Sequence, residues 1–84
     1  MNISRNEQRV LHALAQGGMI RHLRDGDRIT VADCFTRDGH VLADFSLATF
    51  QRLRQRGFVA SRGGSPYRIT GTGLRAVRAQ LDNR

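Results

Sequence analysis

The sequence has one cysteine, one proline and no lysine among its 84 residues, and each scarcity excludes something. A lone thiol, Cys34, cannot close an internal disulfide, so a disulfide-stapled secreted scaffold is ruled out. No apolar run approaches the roughly 18 residues that a membrane span requires. Met1 is followed by the polar stretch Asn-Ile-Ser-Arg-Asn-Glu, not by an apolar signal region. A soluble cytoplasmic protein is the expectation. Because lysine is missing, all fourteen basic residues are arginine. A genome rich in G and C favours arginine codons, and a planar guanidinium also suits phosphates and carboxylates. Acids are scarce in one half only. Residues 1–44 carry six arginines and six acids, whereas residues 45–84 carry eight arginines against Asp82 alone, so the formal charge of +7 belongs to the second half. A solubilising surface usually mixes its signs, and this half reads instead as a surface that binds nucleic acid or protein. A chain of this length forms one domain, residues 1–84, and buries about 60–65 % of its unfolded surface. Its core is small, with little room for a deep pocket.

Ser4 and Glu7 have the S-x-x-E spacing of a capping box. They open a first helix whose apolar stripe is Val10, Leu11 and Leu14, and Gly17-Gly18 ends it. From Met19 to Phe45 the period changes to two. Asp25-Gly26 and Asp38-Gly39 mark turns between Met19–Arg24, Ile29–Thr36 and His40–Phe45, a three-stranded antiparallel meander. The parity of its middle strand stays open, since Ile29, Val31 and Phe35 share one face with Asp33 while Ala32 and Cys34 share the other. Ser46 caps a second helix with Leu47, Phe50 and Leu53 within about 120° of one another, and Gly57 stops it. Phe58–Ser61 and Tyr67–Thr70 then pair across the glycine-rich loop 62–66. Thr72 is expected to cap a last helix with Leu74, Val77 and Leu81 inward. The fold class is α+β: a winged-helix-like domain with an N-terminal helix, the meander, a helix, a β-hairpin wing and a C-terminal helix.

In a winged-helix protein a recognition helix enters the major groove and the wing touches phosphate or the minor groove. The second helix would present Ala48, Arg52, Gln55 and Arg56, and the wing Arg62 and Arg68. Arginine and glutamine carry the donors that read guanine or adenine edges, and the wing arginines would anchor phosphates. Arg52 and Arg56, four apart, also fit an ordinary solvated face. One departure from the winged-helix pattern is that a strand, not a helix, precedes the second helix. Cys34, His12, His22 and His40 are too scattered for metal-ligand spacing, so no metal or cofactor is expected and Cys34 reads as a small strand hydrophobe. No serine lies in a G-x-S-x-G elbow, and Gly71-Thr72-Gly73 lacks the third glycine and the βαβ context of a dinucleotide fingerprint. Catalysis is not expected.

Ser4-Arg5-Asn6-Glu7-Gln8-Arg9, Leu11-His12-Ala13-Leu14-Ala15-Gln16-Gly17-Gly18, Pro66-Tyr67-Arg68-Ile69 and the terminal stretch from Thr72 to Arg84 together resemble the YjhX family of small bacterial proteins. The resemblance spans the whole chain and is loosest from Arg24 to His40. It implies a toxin of a toxin–antitoxin pair that binds and inhibits bacterial DNA topoisomerase I, with an acetyltransferase-like antitoxin as partner. It carries over no residue roles. The charge adds a constraint: a chain at +7 cannot block such an enzyme by imitating DNA, because a mimic must be acidic. Docking on an acidic patch, or clamping enzyme and DNA together, are the modes open to it. The alternative reading is a winged-helix DNA-binding transcriptional regulator.

Overall fold

The computed structural model describes residues 3–82, without the side chains of residues 80–82. Its elements run α1 (Arg5–Ala15), β1 (Met19–Asp25), β2 (Arg28–Phe35), α2 (Leu47–Gln55), β3 (Val59–Ala60), β4 (Arg68–Ile69) and α3 (Gly71–Asp82). The expected capping box forms at α1: the Glu7 amide donates to Ser4 Oγ at 3.0 Å, and the Ser4 amide donates to Glu7 Oε1 at 2.8 Å. The stripe of Val10, Leu11 and Leu14 is buried as its spacing predicts. Gly17 then turns the chain at φ 106°, a conformation that side chains rarely adopt.

The meander is shorter than expected. β1 and β2 form a full antiparallel hairpin, but the segment His40–Phe45 contributes only the single bridge between Phe35 and Val41, beside a hydrogen bond from the Leu42 amide to the Cys34 carbonyl. The third strand stops because the chain leaves the sheet at a turn in which Asp44 adopts φ 63°. α1 holds that turn: Asn6 donates to the Asp44 carbonyl, Arg9 donates to the Ala43 carbonyl, and Arg9 pairs with the Asp44 carboxylate at 3.5 Å.

A bulge settles the parity of β2. Leu23 faces Val31 while the next residue, Arg24, faces Ile29, so Thr30 is an extra residue without a partner. One inserted residue moves every side chain beyond it to the other face. Ile29 therefore joins Ala32 and Cys34 on the buried side, and Val31 and Asp33 point out. Cys34 is fully buried, and burial pushes its thiol up to about 11. It behaves as a small hydrophobe.

The core gathers Val10, Leu11 and Leu14 of α1 with Ile20, Cys34, Phe50, Leu53, Phe58, Tyr67 and Val77. Tyr67 links its parts. It packs edge-on against Phe50 with centroids 4.9 Å apart, and its amide and carbonyl both bond to Ile20, joining the β1–β2 sheet to the β3–β4 hairpin. The last helix begins earlier than expected, and its cap is Thr70, not Thr72. Thr70 Oγ1 accepts from the Gly73 amide at 3.1 Å and donates to the Gly57 carbonyl at 2.6 Å, so one hydroxyl ties the start of α3 to the end of α2. Thr72 is already inside the helix, where its hydroxyl accepts from Arg75. Val77 and Ala76 are buried and Leu74 is half-buried; the inward placing expected for Leu81 falls outside the described side chains. Replacing Thr70 by valine is expected to cost about 1 kcal/mol, a typical cap loss, whereas Thr72→Val should stay within about 0.5 kcal/mol. Urea unfolding of the two variants checks this, and the opposite ranking would return the cap to Thr72.

Candidate binding face

α2 starts at Ser46, whose hydroxyl accepts from the Thr49 amide at 3.1 Å. Thr49, Phe50 and Leu53 are its buried residues, and Leu47 is half-buried at the edge of the core. At a helical pitch of about 100° per residue, the side opposite that stripe is the ridge Ala48, Gln51 and Gln55. All three are exposed. The arginines flank this ridge, Arg52 and Arg56 on one side and Arg54 on the other.

The two sides differ in kind. Arg52 and Arg56 lean toward α1, where Arg52 Nε lies 3.8 Å and Arg56 Nη1 3.6 Å from Glu7 Oε2. Arg52 also donates to Thr49 Oγ1, and the Arg56 guanidinium lies 4.8 Å from the Phe58 ring centroid. Glu7 itself is only 4 % exposed. Burial disfavours its charge, but the Ser4 amide and hydroxyl and the Arg56 and Arg52 cations outweigh burial and hold its carboxyl below the ordinary value. Glu7 is thus one carboxylate shared by a helix cap and two guanidiniums. Arg52 and Arg56 are positioned by the fold, and the cluster keeps a surplus positive charge.

Arg68 is likewise committed. Its Nη1 donates to the Gly17 and Gly18 carbonyls at 3.2 and 3.3 Å, where α1 has just ended and cations are favoured. The expectation that Arg68 anchors a phosphate therefore meets a residue already bound to backbone. Arg62 differs. It stands exposed in the loop between β3 and β4, in a turn closed by hydrogen bonds from the Ser65 amide to the Arg62 carbonyl and from the Ser61 hydroxyl to the Ser65 carbonyl. Ala48 and Gln55 are exposed on the ridge as expected.

Sequence reasoning missed Gln51 and Arg54. Arg54 is exposed, with its guanidinium 5.9 Å from the Tyr67 ring centroid. The missed signal was the buried Thr49, which rotates the outward direction of α2 away from Arg52 and toward Gln51. The exposed residues that the fold does not tie to Glu7 or to backbone are thus Ala48, Gln51 and Gln55 on the ridge, the flanking Arg54, and Arg62 on the β3–β4 loop. Such a surface can donate hydrogen bonds to carboxylates or phosphates. No helix of the described residues is long and apolar enough to cross a membrane.

Comparison with known proteins places this surface in context. A protein of Beijerinckia indica subsp. indica named only "UPF0386 protein" is 62 % identical over 85 aligned positions, covering all of both chains. One of Parvibaculum lavamentivorans is also 62 % identical over 85 positions, and one of Brucella anthropi is 58 % identical over 84, each again with full coverage of both chains. No solved structure matches. Residues 1–84 match the YjhX toxin family, described as "Putative toxin of bacterial toxin-antitoxin pair". With relatives this similar along its entire length and a family match from the first residue to the last, the chain belongs to the YjhX toxin family.

Proposed function

We propose that this protein is a non-enzymatic toxin that binds and inhibits bacterial DNA topoisomerase I in the cytoplasm, and that an acetyltransferase-like antitoxin relieves it. The observation that carries the reading is the outward set on α2 and the loop, an acid-free donor surface on a chain of a toxin family. Arg54 and Arg62 stand exposed with no acid in the set, so these side chains suit an acidic patch on an enzyme. Action by binding also suits the one thiol, which is buried with its pKa raised and is a poor nucleophile.

The direct test is co-elution of this protein with nucleic-acid-free topoisomerase I on a sizing column, run beside a short DNA duplex at the same moderate salt. Co-elution with the enzyme alone supports docking, and co-elution only when DNA is added supports a clamp on the enzyme–DNA complex. The combined variant Arg54→Glu with Arg62→Glu is expected to weaken enzyme binding at least tenfold, with little change in melting temperature, because both side chains are exposed. Binding should also weaken steeply with salt, since exposed charges are screened beyond about 8 Å at physiological ionic strength. Unchanged affinity in that variant would remove this face from the proposal.

A second reading, a winged-helix DNA-binding regulator, is favoured by one observation: α2 leads through Gly57 directly into a hairpin whose tip carries Arg62. About four arginine–phosphate contacts would give a log–log salt slope near −4. Co-elution with the duplex alone, at such a slope, would select this reading over the inhibitor.

A further inference from the structure

The three large hydrophobic side chains that stand exposed among the described residues all lie on one face of one sheet. They are Leu23 at 65 % exposure, Val41 at 62 % and Val31 at 44 %. Leu23 is directly opposite Val31, and Val41 directly opposite Phe35. Opposed residues in an antiparallel pair project to the same side, and Val31 and Phe35 share that side by the period of two. This is the face turned away from buried Ala32 and Cys34, and so away from the core. Single exposed hydrophobes are ordinary, but here the Leu23–Val31 pair and Val41 beside Phe35 share one face on either side of a charged rung, a grouping that marks an interaction site.

The polar residues on the same face indicate the occupant. Arg21 and Asp33 sit opposite each other, two rungs from Leu23 and Val31 and so on the same face. Arg21 lies over the Phe35 ring at 5.7 Å, and among the described residues Asp33 has no cation within ion-pair distance. The rung is therefore one positive and one negative group side by side, each available to a partner. We infer that the partner is a second copy of this chain, stacked face to face on the β1–β2 hairpin.

A half-turn about an axis parallel to the strands lays β1 of the second copy over β2 of the first and keeps every rung at its own level. Arg21 then meets the partner's Asp33, Asp33 meets the partner's Arg21, and Leu23 meets the partner's Val31. One patch complements itself in both charge and apolar character, as an isologous two-fold contact requires. Gly64 and Pro66 of the loop bound this face beside β1, across a groove of about 430 Å³. A face two strands wide, of seven and eight residues at about 3.3 Å per residue and about 4.8 Å between strands, is smaller than the roughly 800 Å² per partner of a standard stable interface, so association is weak and appears as concentration rises. None of this depends on the topoisomerase reading.

The test is sedimentation equilibrium of the full chain over a concentration series, from about ten micromolar to about one millimolar. The wild type is expected to shift from monomer to dimer across that range. Leu23→Ser combined with Val31→Thr should stay monomeric, and circular dichroism should show an unchanged fold because both side chains are exposed. Arg21→Asp alone and Asp33→Arg alone should each weaken dimerisation at least tenfold. An equimolar mixture of those two single variants should restore it, because each then supplies the charge the other lacks. A wild type that remains monomeric throughout overturns the inference and leaves the face to a different protein. Single reversals without effect, or a mixture that fails to recover, overturn it equally.

Discussion

Gly73→Ala is expected to lower the melting temperature by about 10–20 °C, the equivalent of about 2–3 kcal/mol at about 4–8 °C per kcal/mol for a domain of this size. Gly73 lies in the first turn of α3, where the helix presses against the end of α2 and the β3–β4 hairpin. A methyl group there would stand 2.5 Å from the Phe58 carbonyl oxygen and 2.7 Å from Ile69 Cγ1. The first of these is backbone, held because the Phe58 carbonyl accepts from the Thr70 amide, so it cannot swing aside as a long side chain would. Relief requires α3 to lift, which opens the contact of Val77 and Ala76 with the core. Gly71 provides the control. Its added carbon would meet nothing nearer than the flexible end of Arg75 at 3.5 Å, so Gly71→Ala should be neutral or stabilise by about 0.4–1 kcal/mol through the unfolded chain. Thermal unfolding of the two variants side by side decides the matter. Equal melting temperatures would mean that α3 does not approach Phe58 this closely.

Removing Glu7 should have the next largest effect. Glu7→Ala deletes half of the capping box and leaves Arg52 and Arg56 beside a space that held their shared anion. Breaking a fully buried ion pair costs about 3–5 kcal/mol. The guanidinium side chains here are 54 % and 33 % exposed, and solvent screening reduces that figure. A loss of about 2 kcal/mol is expected, measured by urea unfolding at neutral pH. The same group sets a pH dependence. The carboxyl of Glu7 is held below its ordinary value of 4.5 in the folded state, so its contribution is fully present above that pH. It is lost as pH falls through the lower folded value. Glu7→Gln should therefore flatten the decline in stability below about pH 4.5 relative to the wild type. Parallel curves for the two proteins would show that Glu7 has no preferential hold on its charge.

Most of the scaffold was legible because its signals are local. The S-x-x-E spacing at Ser4, the stripe of Val10, Leu11 and Leu14, and Ser46 before Leu47 each specify an element within one or two turns of chain. What the sequence left open or misplaced was decided by backbone irregularity or by contacts between elements. The parity of β2 turns on an extra residue at Thr30, and an alternating pattern cannot reveal a bulge that sits between Ile29 and Val31. His40–Phe45 has the alternation of a strand, but the side chains of Asn6 and Arg9 draw its end toward α1. Thr70 and Thr72 are equally good caps on paper, and the carbonyl of Gly57 selects the first.

The candidate face was half legible for the same reason. Charge asymmetry located it in the second half of the chain, but composition cannot tell a guanidinium that is free to meet a partner from one held by its own fold. Arg52 and Arg56 reach back to Glu7, 45 and 49 positions earlier, and Arg68 reaches the end of α1. Those contacts exist only once α1 packs beside α2 and the hairpin. What remains outward, Gln51 and Arg54 included, follows from where Thr49, Phe50 and Leu53 bury themselves.

The bridge between Ile20 and Tyr67 has an evolutionary corollary. Both of its hydrogen bonds run between main-chain atoms, so the β3–β4 hairpin is fastened to the sheet by groups that no substitution except proline removes. The loop beyond it, residues 61–65, can lengthen, shorten or exchange side chains without loosening that attachment, as surface loops generally do. Sequence variation can therefore accumulate at Arg62 and its neighbours while the scaffold is inherited intact.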